Sequence, residues 1–326
     1  MNSDKLTTIL YVPSEIENEN TLLQKINREN NLDLNSENQK EGTTLQWIPI
    51  REPVTEEFLA EQMNANKPEE CLLITSTDQT IGWAKKWDIA MIGYLNPHIQ
   101  GQSLAGTDLL AEGFEEIDDA YLKRIWQRHH RIPWTIFTTE RCMVRELCMN
   151  DLQALFDLYA QPGMTDYMEE LYPWEEEAAY ERAYIENMYR FYEYGMWLVF
   201  DKATGELIGR AGLEHRPYPD ENAEEQKQSE YMEQGPSWDS VPTESEHLEL
   251  EMGYAIAPSR WHQGYATEVC AGIIEYAKEH LNYSRINCLI QRENQKSIAL
   301  MDKLGFHFME ETELTGERML RYVLHI

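Results

Sequence analysis

The sequence predicts an α/β protein of two domains, and three observations carry that reading. The chain has 326 residues and 42% hydrophobic content, enough for two cores of ordinary size. In roughly the first 137 residues, short aliphatic runs alternate with helical spacing, the pattern of strands separated by helices. From residue 138 onward, strand-like and helical segments follow in a new order, opening on a strand and a helix and continuing into a hairpin.

In the first part, Thr8 to Val12, Cys71 to Thr75 and Ala90 to Tyr94 are β-branched or aliphatic runs bounded by polar residues, as buried parallel strands require. Thr55 to Met63 and Thr80 to Trp87 have helical spacing, and Leu122 to His130 reads as a closing helix. Residues 14–45, rich in Asn, Glu and Gln, read as a loose polar excursion. Arg131 to Phe137 is expected to be a linker, placing the boundary near residue 137.

The second part begins with a strand from Cys142 to Leu147, then Asn150-Asp151 as a cap for a helix from Leu152 to Tyr159. An acidic helix from about Glu175 to Tyr189 follows. Strands are expected at Met196 to Asp201, Glu206 to Glu214 and Leu248 to Ala257, the first two joined by a Lys202-Ala-Thr-Gly205 turn. Residues from about 215 to 247 hold five Pro or Gly positions and many carboxylates, and read as a long acidic insertion. After Pro258 come a helix ending near Ala277, a strand at Ile286 to Gln291, a helix at Asn294 to Leu304 stopped by Gly305, and two last strands near Phe306 to Glu310 and Arg318 to His325.

Composition excludes several function classes. No apolar run approaches the roughly 18 residues of a membrane helix, and the N-terminus lacks a secretory pattern, so a cytoplasmic protein is expected. Five cysteines without CxxC spacing read as buried free thiols, and no metal is expected. The net charge of −30 argues against nucleic acid as a partner. Residues Glu214 to Glu251 alone hold 12 acidic and 2 basic side chains. Such acidity either solubilises the surface or attracts a cationic substrate.

The chemistry-bearing segment is Trp261-His-Gln-Gly-Tyr-Ala-Thr267, where a strand passes through a Gly-containing turn into a helix. Backbone N–H groups at such a helix start form a site for a pyrophosphate. Glu251-Met-Gly-Tyr-Ala-Ile-Ala-Pro258, WHQGYATE, Asn294-Gln-Lys-Ser297 and Lys303-Leu-Gly-Phe306 occur in one order along residues 138–326. Together they resemble the GNAT superfamily of acetyl-CoA-dependent N-acetyltransferases, nearest the RimJ/RimL-like branch that includes the ribosomal-protein alanine acetyltransferases.

The resemblance implies an α+β fold with a mixed, mostly antiparallel central sheet, and acetyl-CoA as cosubstrate. It implies that Gln263, Gly264, Tyr265, Ala266 and Thr267 hold the CoA pyrophosphate through their backbone, that Ala255, Ile256 and Ala257 pair with the pantetheine arm, and that Asn294 and Ser297 lie beside the thioester. Asn294 equally suits a helix N-cap. A carboxylate suits deprotonation of the attacking amine. Glu251 aligns with the family's acidic strand residue and is the candidate base, or else a surface carboxylate; Glu249 shares its side of the strand. Many relatives carry Tyr where this chain has Met301, which leaves Ser297 or a water as the acid, or a thiolate that leaves unassisted. Tyr167, Tyr172, Trp174 and Trp238, with Glu169 and Glu170, form either an aromatic and anionic mouth for a cationic amine or ordinary packing.

The segment from Cys71 to Ile117, with its Gly-Tyr-x-Asn-Pro turn, resembles the C-terminal half of a small three-layer haloacid-dehalogenase-like (HAD-like) domain. That family needs an aspartate nucleophile and a second aspartate after its first strand, whereas this chain continues Tyr11-Val-Pro-Ser14-Glu15. The resemblance therefore implies a domain without phosphatase activity, neither Ser14 nor Glu15 having a metal partner set, and Asp78 reads as a helix cap. The expected whole is a HAD-like domain in residues 1–137 and an acetyltransferase in 138–326. The acceptor is a small cationic amine or a peptide N-terminus, with a homodimer allowed. The alternative is a non-catalytic acyl-CoA-binding or regulatory protein.

Overall fold

The computed structural model of the chain describes residues 5–13, 45–50, 53–114, 117–219, 246–314 and 317–326. It divides into two compact units, Met1–Trp134 and Thr135–Ile326. The division falls just before the expected linker ends because Thr135–Thr138 is already the edge strand of the second sheet.

The first unit contains β1 (Thr8–Tyr11), β2 (Gln46–Pro49), α1 (Glu56–Ala65), β3 (Cys71–Thr75), α2 (Asp78–Ala84), β4 (Ala90–Tyr94), β5 (Leu109–Ala111) and α3 (Asp119–His129). All neighbours in the sheet β2-β1-β3-β4-β5 are parallel. β1, β3 and β4 are buried at every position, and alternation sends their side chains into two cores. Ile9, Leu72, Ile74 and Ile92 meet Leu122, Ile125 and Trp126 of α3. Leu10, Leu73 and Met91 meet Leu59 and Met63 of α1 and Ile81 of α2. A sheet apolar on both faces needs helices on both, hence three layers.

Short polar contacts fix the helix ends. Thr55 Oγ1 accepts from Phe58 N at 3.2 Å and Asp118 Oδ1 from Tyr121 N at 2.7 Å, capping α1 and α3. Asp78, expected to cap its own helix, does otherwise: its carboxylate accepts from Ser103 N at 3.0 Å and Leu104 N at 2.6 Å, pinning the loop after β4. In that loop Gln102 Nε2 donates to Ser76 O at 2.7 Å and Tyr94 O at 3.2 Å, joining the ends of β3 and β4. Ser14 and Glu15 lie outside the described residues.

The second unit contains β6 (Thr135–Thr138), β7 (Cys142–Arg145), α4 (Leu152–Tyr159), α5 (Trp174–Tyr184), β8 (Met196–Asp201), β9 (Leu207–Pro219), β10 (Glu246–Ile256), α6 (Tyr265–His280), β11 (Arg285–Gln291), α7 (Gln295–Leu304), β12 (His307–Leu314) and β13 (Glu317–His325). The sheet order is β12-β13-β11-β10-β9-β8-β7-β6, antiparallel throughout except between β10 and β11. This is a mixed, mostly antiparallel sheet.

Local detail departs from expectation in two places. Asp151 does not cap α4; its carboxylate takes Cys148 N at 2.9 Å and both terminal nitrogens of Arg145 at 2.7 Å, closing the short turn before that helix. β9 and β10 also run further than their apolar pattern indicates, so residues 215–219 and 246–247 are strand and the insertion shrinks to 220–245, outside the described residues. The β8–β9 turn forms as expected, with Gly205 at φ 72° and Asp201 Oδ1 accepting from Ala203 N. All five cysteines are free thiols.

Candidate functional site

The site starts from a break in strand pairing. β10 pairs with β9 along its whole length, from Glu246↔Pro219 to Ile256↔Gly209, but with β11 only at Leu250↔Ile286 and Glu251↔Asn287. Beyond Glu251 the two parallel strands part, and the β11-facing edge of β10 is unpaired. Ala257 N donates to Ile208 O at 2.8 Å, so its amide points toward β9. Alternation gives Ala255 the same direction and turns the amides of Tyr254 and Ile256 to the gap. Of the three residues expected to bind there, Ile256 alone presents its amide to the open edge, and Tyr254 joins it. Trp261 Nε1 donates to Ile256 O at 2.7 Å and ties the following turn to this strand.

At the end of β10 the chain turns through Pro258–Arg260 and two left-handed residues, His262 at φ 59° and Gly264 at φ 85°, into α6. A left-handed residue is cheap only at Gly, which fixes the need for Gly264. Its carbonyl accepts from Glu268 N, and no side chain caps the helix, so the first amides, Tyr265, Ala266 and Thr267, point outward without a capping partner. A Cβ on Gly264 would meet only Arg141 Nη2, at 3.4 Å, so the space above the turn is open. Uncapped amides and the positive end of a 16-residue helix make an anion site.

Arg141 strengthens that field. It stands in the β6–β7 turn, donates from Nη1 to Gln263 O at 2.9 Å, and lies over the Tyr265 ring at 4.1 Å. Glu268 holds it: Oε1 accepts from Thr139 Oγ1 at 2.6 Å and Arg141 N at 2.8 Å, and Oε2 from Arg141 Nε at 2.7 Å. Burial works against the ionised Glu268, yet these hydrogen bonds outweigh it and leave its pKa below the usual carboxylate range.

The other face of β10 carries carboxylates. Glu249 is 5% exposed, paired with Arg285 Nη2 at 2.5 Å and Arg321 Nη2 at 3.3 Å, and accepts from Asn287 Nδ2 at 2.7 Å. It cross-braces β10, β11 and β13, not a substrate. Glu251 is held by Arg216, Nε to Oε2 at 2.7 Å and Nη2 to Oε1 at 3.0 Å, and by Tyr218 Oη at 2.7 Å. Directly opposite it on β9, Glu214 accepts from Tyr184 Oη at 2.8 Å. Beneath them Glu181 and Arg210 form a buried pair at 2.8 Å, with Glu177 and Tyr189 nearby. Burial raises the Glu181 pKa, Arg210 opposing it and Glu177 adding to it.

Asn294 caps α7, its Oδ1 accepting from Ser297 N at 3.1 Å. Ser297 sits beside the Tyr254 hydroxyl without the geometry of a hydrogen bond, and that hydroxyl is buried with no partner among the described residues. Burial, with the Cys288 and Cys270 thiols close by, pushes the Tyr254 pKa well up, and Ser297 offsets it only in part. Met301 is fully buried.

Residues 141–307 match the acetyltransferase (GNAT) domain family. The chain belongs to the GNAT acetyltransferase family. It is an acyltransferase of that family. An uncharacterized N-acetyltransferase of Bacillus subtilis (strain 168), YoaA, is 27% identical over 176 residues, covering 52% of this chain and 82% of the relative. Another, p20 of Bacillus licheniformis, is 24% identical over 170 residues, covering 52% and 80%. Among solved structures, an acetyltransferase from Agrobacterium tumefaciens str. C58 aligns with a TM-score of 0.43 at 23% identity over 58% of this chain and 94% of that one.

Within this GNAT unit Tyr167 stands near the start of α7, while Tyr172 and Trp174 pack on Tyr180 and Phe156. Tyr167 Oη lies 3.5 Å from Glu293 O, next to Asn294, and Trp174 packs on Phe156 with ring centroids 5.0 Å apart. Tyr167, Tyr172 and Trp174 are 43%, 53% and 43% exposed. Trp238 lies outside the described residues. Arg141, Glu214 and Tyr254 are functional candidates that sequence reasoning missed. Arg141 stands in a polar turn before Cys142, and Glu214 is placed by its register opposite Glu251, which only the fold reveals. Among the described residues no group of three or more His, Cys, Asp or Glu side chains is placed to hold a metal, and no helix is long and apolar enough to cross a membrane.

Proposed function

We propose that residues 138–326 transfer the acetyl group of acetyl-CoA to a primary amine, a small cationic amine or a peptide N-terminus. The observation that carries this reading is the uncapped start of α6 beside Arg141, at the end of a strand whose far edge is unpaired. The site fits the cosubstrate chemically. Amides of Gln263 to Thr267 and Arg141 suit the pyrophosphate. Tyr254 and Ile256 offer the open edge to the amide-containing arm, a strand-like addition. Asn294 and Ser297 then stand near the thioester. The acidic β9–β10 face and the exposed Tyr167, Tyr172 and Trp174 favour a protonated amine.

For residues 1–137 we infer a HAD-like scaffold without phosphatase activity. Its support is the all-parallel sheet and the use of Asp78 as a loop clamp, which leaves that carboxylate no metal role.

Calorimetric titration with acetyl-CoA, followed by thiol release in the presence of spermidine, an aminoglycoside or an alanine-initiated peptide, tests the first reading. Binding is expected in the micromolar range. Gly264→Val, strained at φ 85° and bulky at the open face, should weaken it at least tenfold. Wild-type affinity in Gly264→Val would show that the pyrophosphate loop lies elsewhere.

A further inference from the structure

We infer that the proton leaving the attacking amine is accepted by Glu214, through one water, and that Glu251 is a positioning residue; this rests on the amine acetylation proposed above. Glu251 and Glu214 are direct partners in the antiparallel β9–β10 register, so their side chains share one face. Both oxygens of Glu251 are committed, to the bidentate Arg216 and to Tyr218. Protonating that carboxylate would break a charge-assisted pair, the stronger kind of hydrogen bond. Glu214 is half-buried, and its one hydrogen bond among the described residues is from Tyr184 to Oε1.

The surroundings separate the two carboxylates further. Burial pushes the Glu214 pKa up and the charge of Glu251 adds to this, against Tyr184, Arg210 and Arg216. The groups facing Glu214 are Tyr184 and Tyr180 from α5, Arg210 and Arg216 from its own strand, and Glu251 from β10. Two neighbouring carboxylates in such unlike surroundings take different roles, Glu251 the anchor held by Arg216 and Tyr218 and Glu214 the proton acceptor.

Position agrees with role. The β10–β11 gap closes at Glu251↔Asn287, so an arm lying along Tyr254 and Ile256 ends its thioester at that level. Glu214 lies one strand spacing, about 4.8 Å, beyond Glu251 on the same face, so a water beside the two side chains links it to an amine at that level. In the step, the lone pair of the neutral amine forms the N–C bond and the C–S bonding pair leaves on sulfur. The N–H proton passes through the water to Glu214, which returns it to solvent, and the thiolate is released.

The test is the pH dependence of kcat/KM for Glu214→Gln and Glu251→Gln, using acetyl-CoA with whichever of spermidine, an aminoglycoside or an alanine-initiated peptide the wild type acetylates. Wild type should show an acidic limb that is the same for each acceptor used. Glu214→Gln should lose that limb and at least 100-fold in kcat/KM, the usual scale of general-base catalysis, while binding acetyl-CoA as before. Glu251→Gln should keep the limb and change chiefly KM. An unaltered limb in Glu214→Gln, or its loss in Glu251→Gln alone, overturns the assignment. Should Glu214→Gln fail to fold, Tyr184→Phe replaces it: losing that hydrogen bond should move the limb to higher pH, and an unmoved limb refutes the role. Failure of the wild type to acetylate any amine would instead overturn the underlying reading.

Discussion

Glu268→Ala removes the post that fixes Arg141 at the start of α6, and its cost follows from the contacts. Four are lost: the Thr139 hydroxyl, the Arg141 amide, Arg141 Nε, and Arg141 Nη2 at 2.7 Å. The Arg141 side chain is 38% exposed, so its pair with Glu268 is screened by solvent and adds little. The two remaining bonds, part-buried, add about 1 kcal/mol each. A loss of about 2–3 kcal/mol should lower Tm by about 4–12 °C in a unit of this size. Because the folded pKa of Glu268 lies below its unfolded value, the stabilisation is complete above the unfolded carboxylate pKa and disappears as pH falls through the folded one. Differential scanning calorimetry of both proteins between pH 3 and 8, following the transition that acetyl-CoA raises, measures this. A Tm within 1 °C of wild type at pH 7, or a gap that widens as pH falls, would refute the reasoning.

Gly212→Ala places a Cβ 2.0 Å from Gly195 O and 2.8 Å from Met196 Cα, both backbone; urea unfolding should show a loss of about 3 kcal/mol or more. Arg210→Met strands the buried Glu181, and should cost about 3–5 kcal/mol, much of it regained in Arg210→Met/Glu181→Leu. A single variant as stable as wild type would show that the pair holds nothing. In the first unit, burial opposes a charged His129, but its hydrogen bond to Asp108 at 3.0 Å prevails and raises its pKa. That contribution is complete below the unfolded His pKa and is lost as pH rises through the folded one. His129→Gln should therefore cost stability at pH 5.5 and nothing measurable at pH 9, by thermal unfolding of this unit.

Legibility in the sequence followed burial. Strands buried on both faces, such as Cys71–Thr75, and the helix around Tyr265–His280 announce themselves by apolar runs and spacing. Gln46–Pro49 does not, being short, partly exposed and ended by Pro. The ends of β9 and β10 are polar because their face holds Glu214, Arg216, Glu249 and Glu251, which bond to one another or to Arg285, Arg321 and Tyr184 instead of meeting an apolar core. Hydropathy cannot see such a strand. The anion turn was legible because Gly264 and the helix after it are consecutive in the chain. Arg141 reaches the site from the β6–β7 turn and Glu214 from a neighbouring strand, through contacts of Arg141 with Glu268 and of Glu214's strand with β10, and no local pattern encodes that meeting.

The same separation explains how a chain of net charge −30 can offer an anion site at all. At about 8 Å of screening length in physiological salt, the total charge matters less than the groups within one helix turn. Near the α6 start these are uncapped amides, Arg141, and Lys296, whose Nζ lies 3.8 Å over the Trp261 ring. The carboxylates around that start are paired, Glu268 with Arg141 and Asp201 and Glu206 with Arg260. Across β10, among the described residues, Glu177, Glu181, Glu214 and Glu251 gather around Arg210 and Arg216, while Glu249 pairs with Arg285 and Arg321. The parted strands lie between a positive rim and a negative face. On the function proposed above, an anionic donor and a cationic acceptor are each drawn to their own side and meet at the gap.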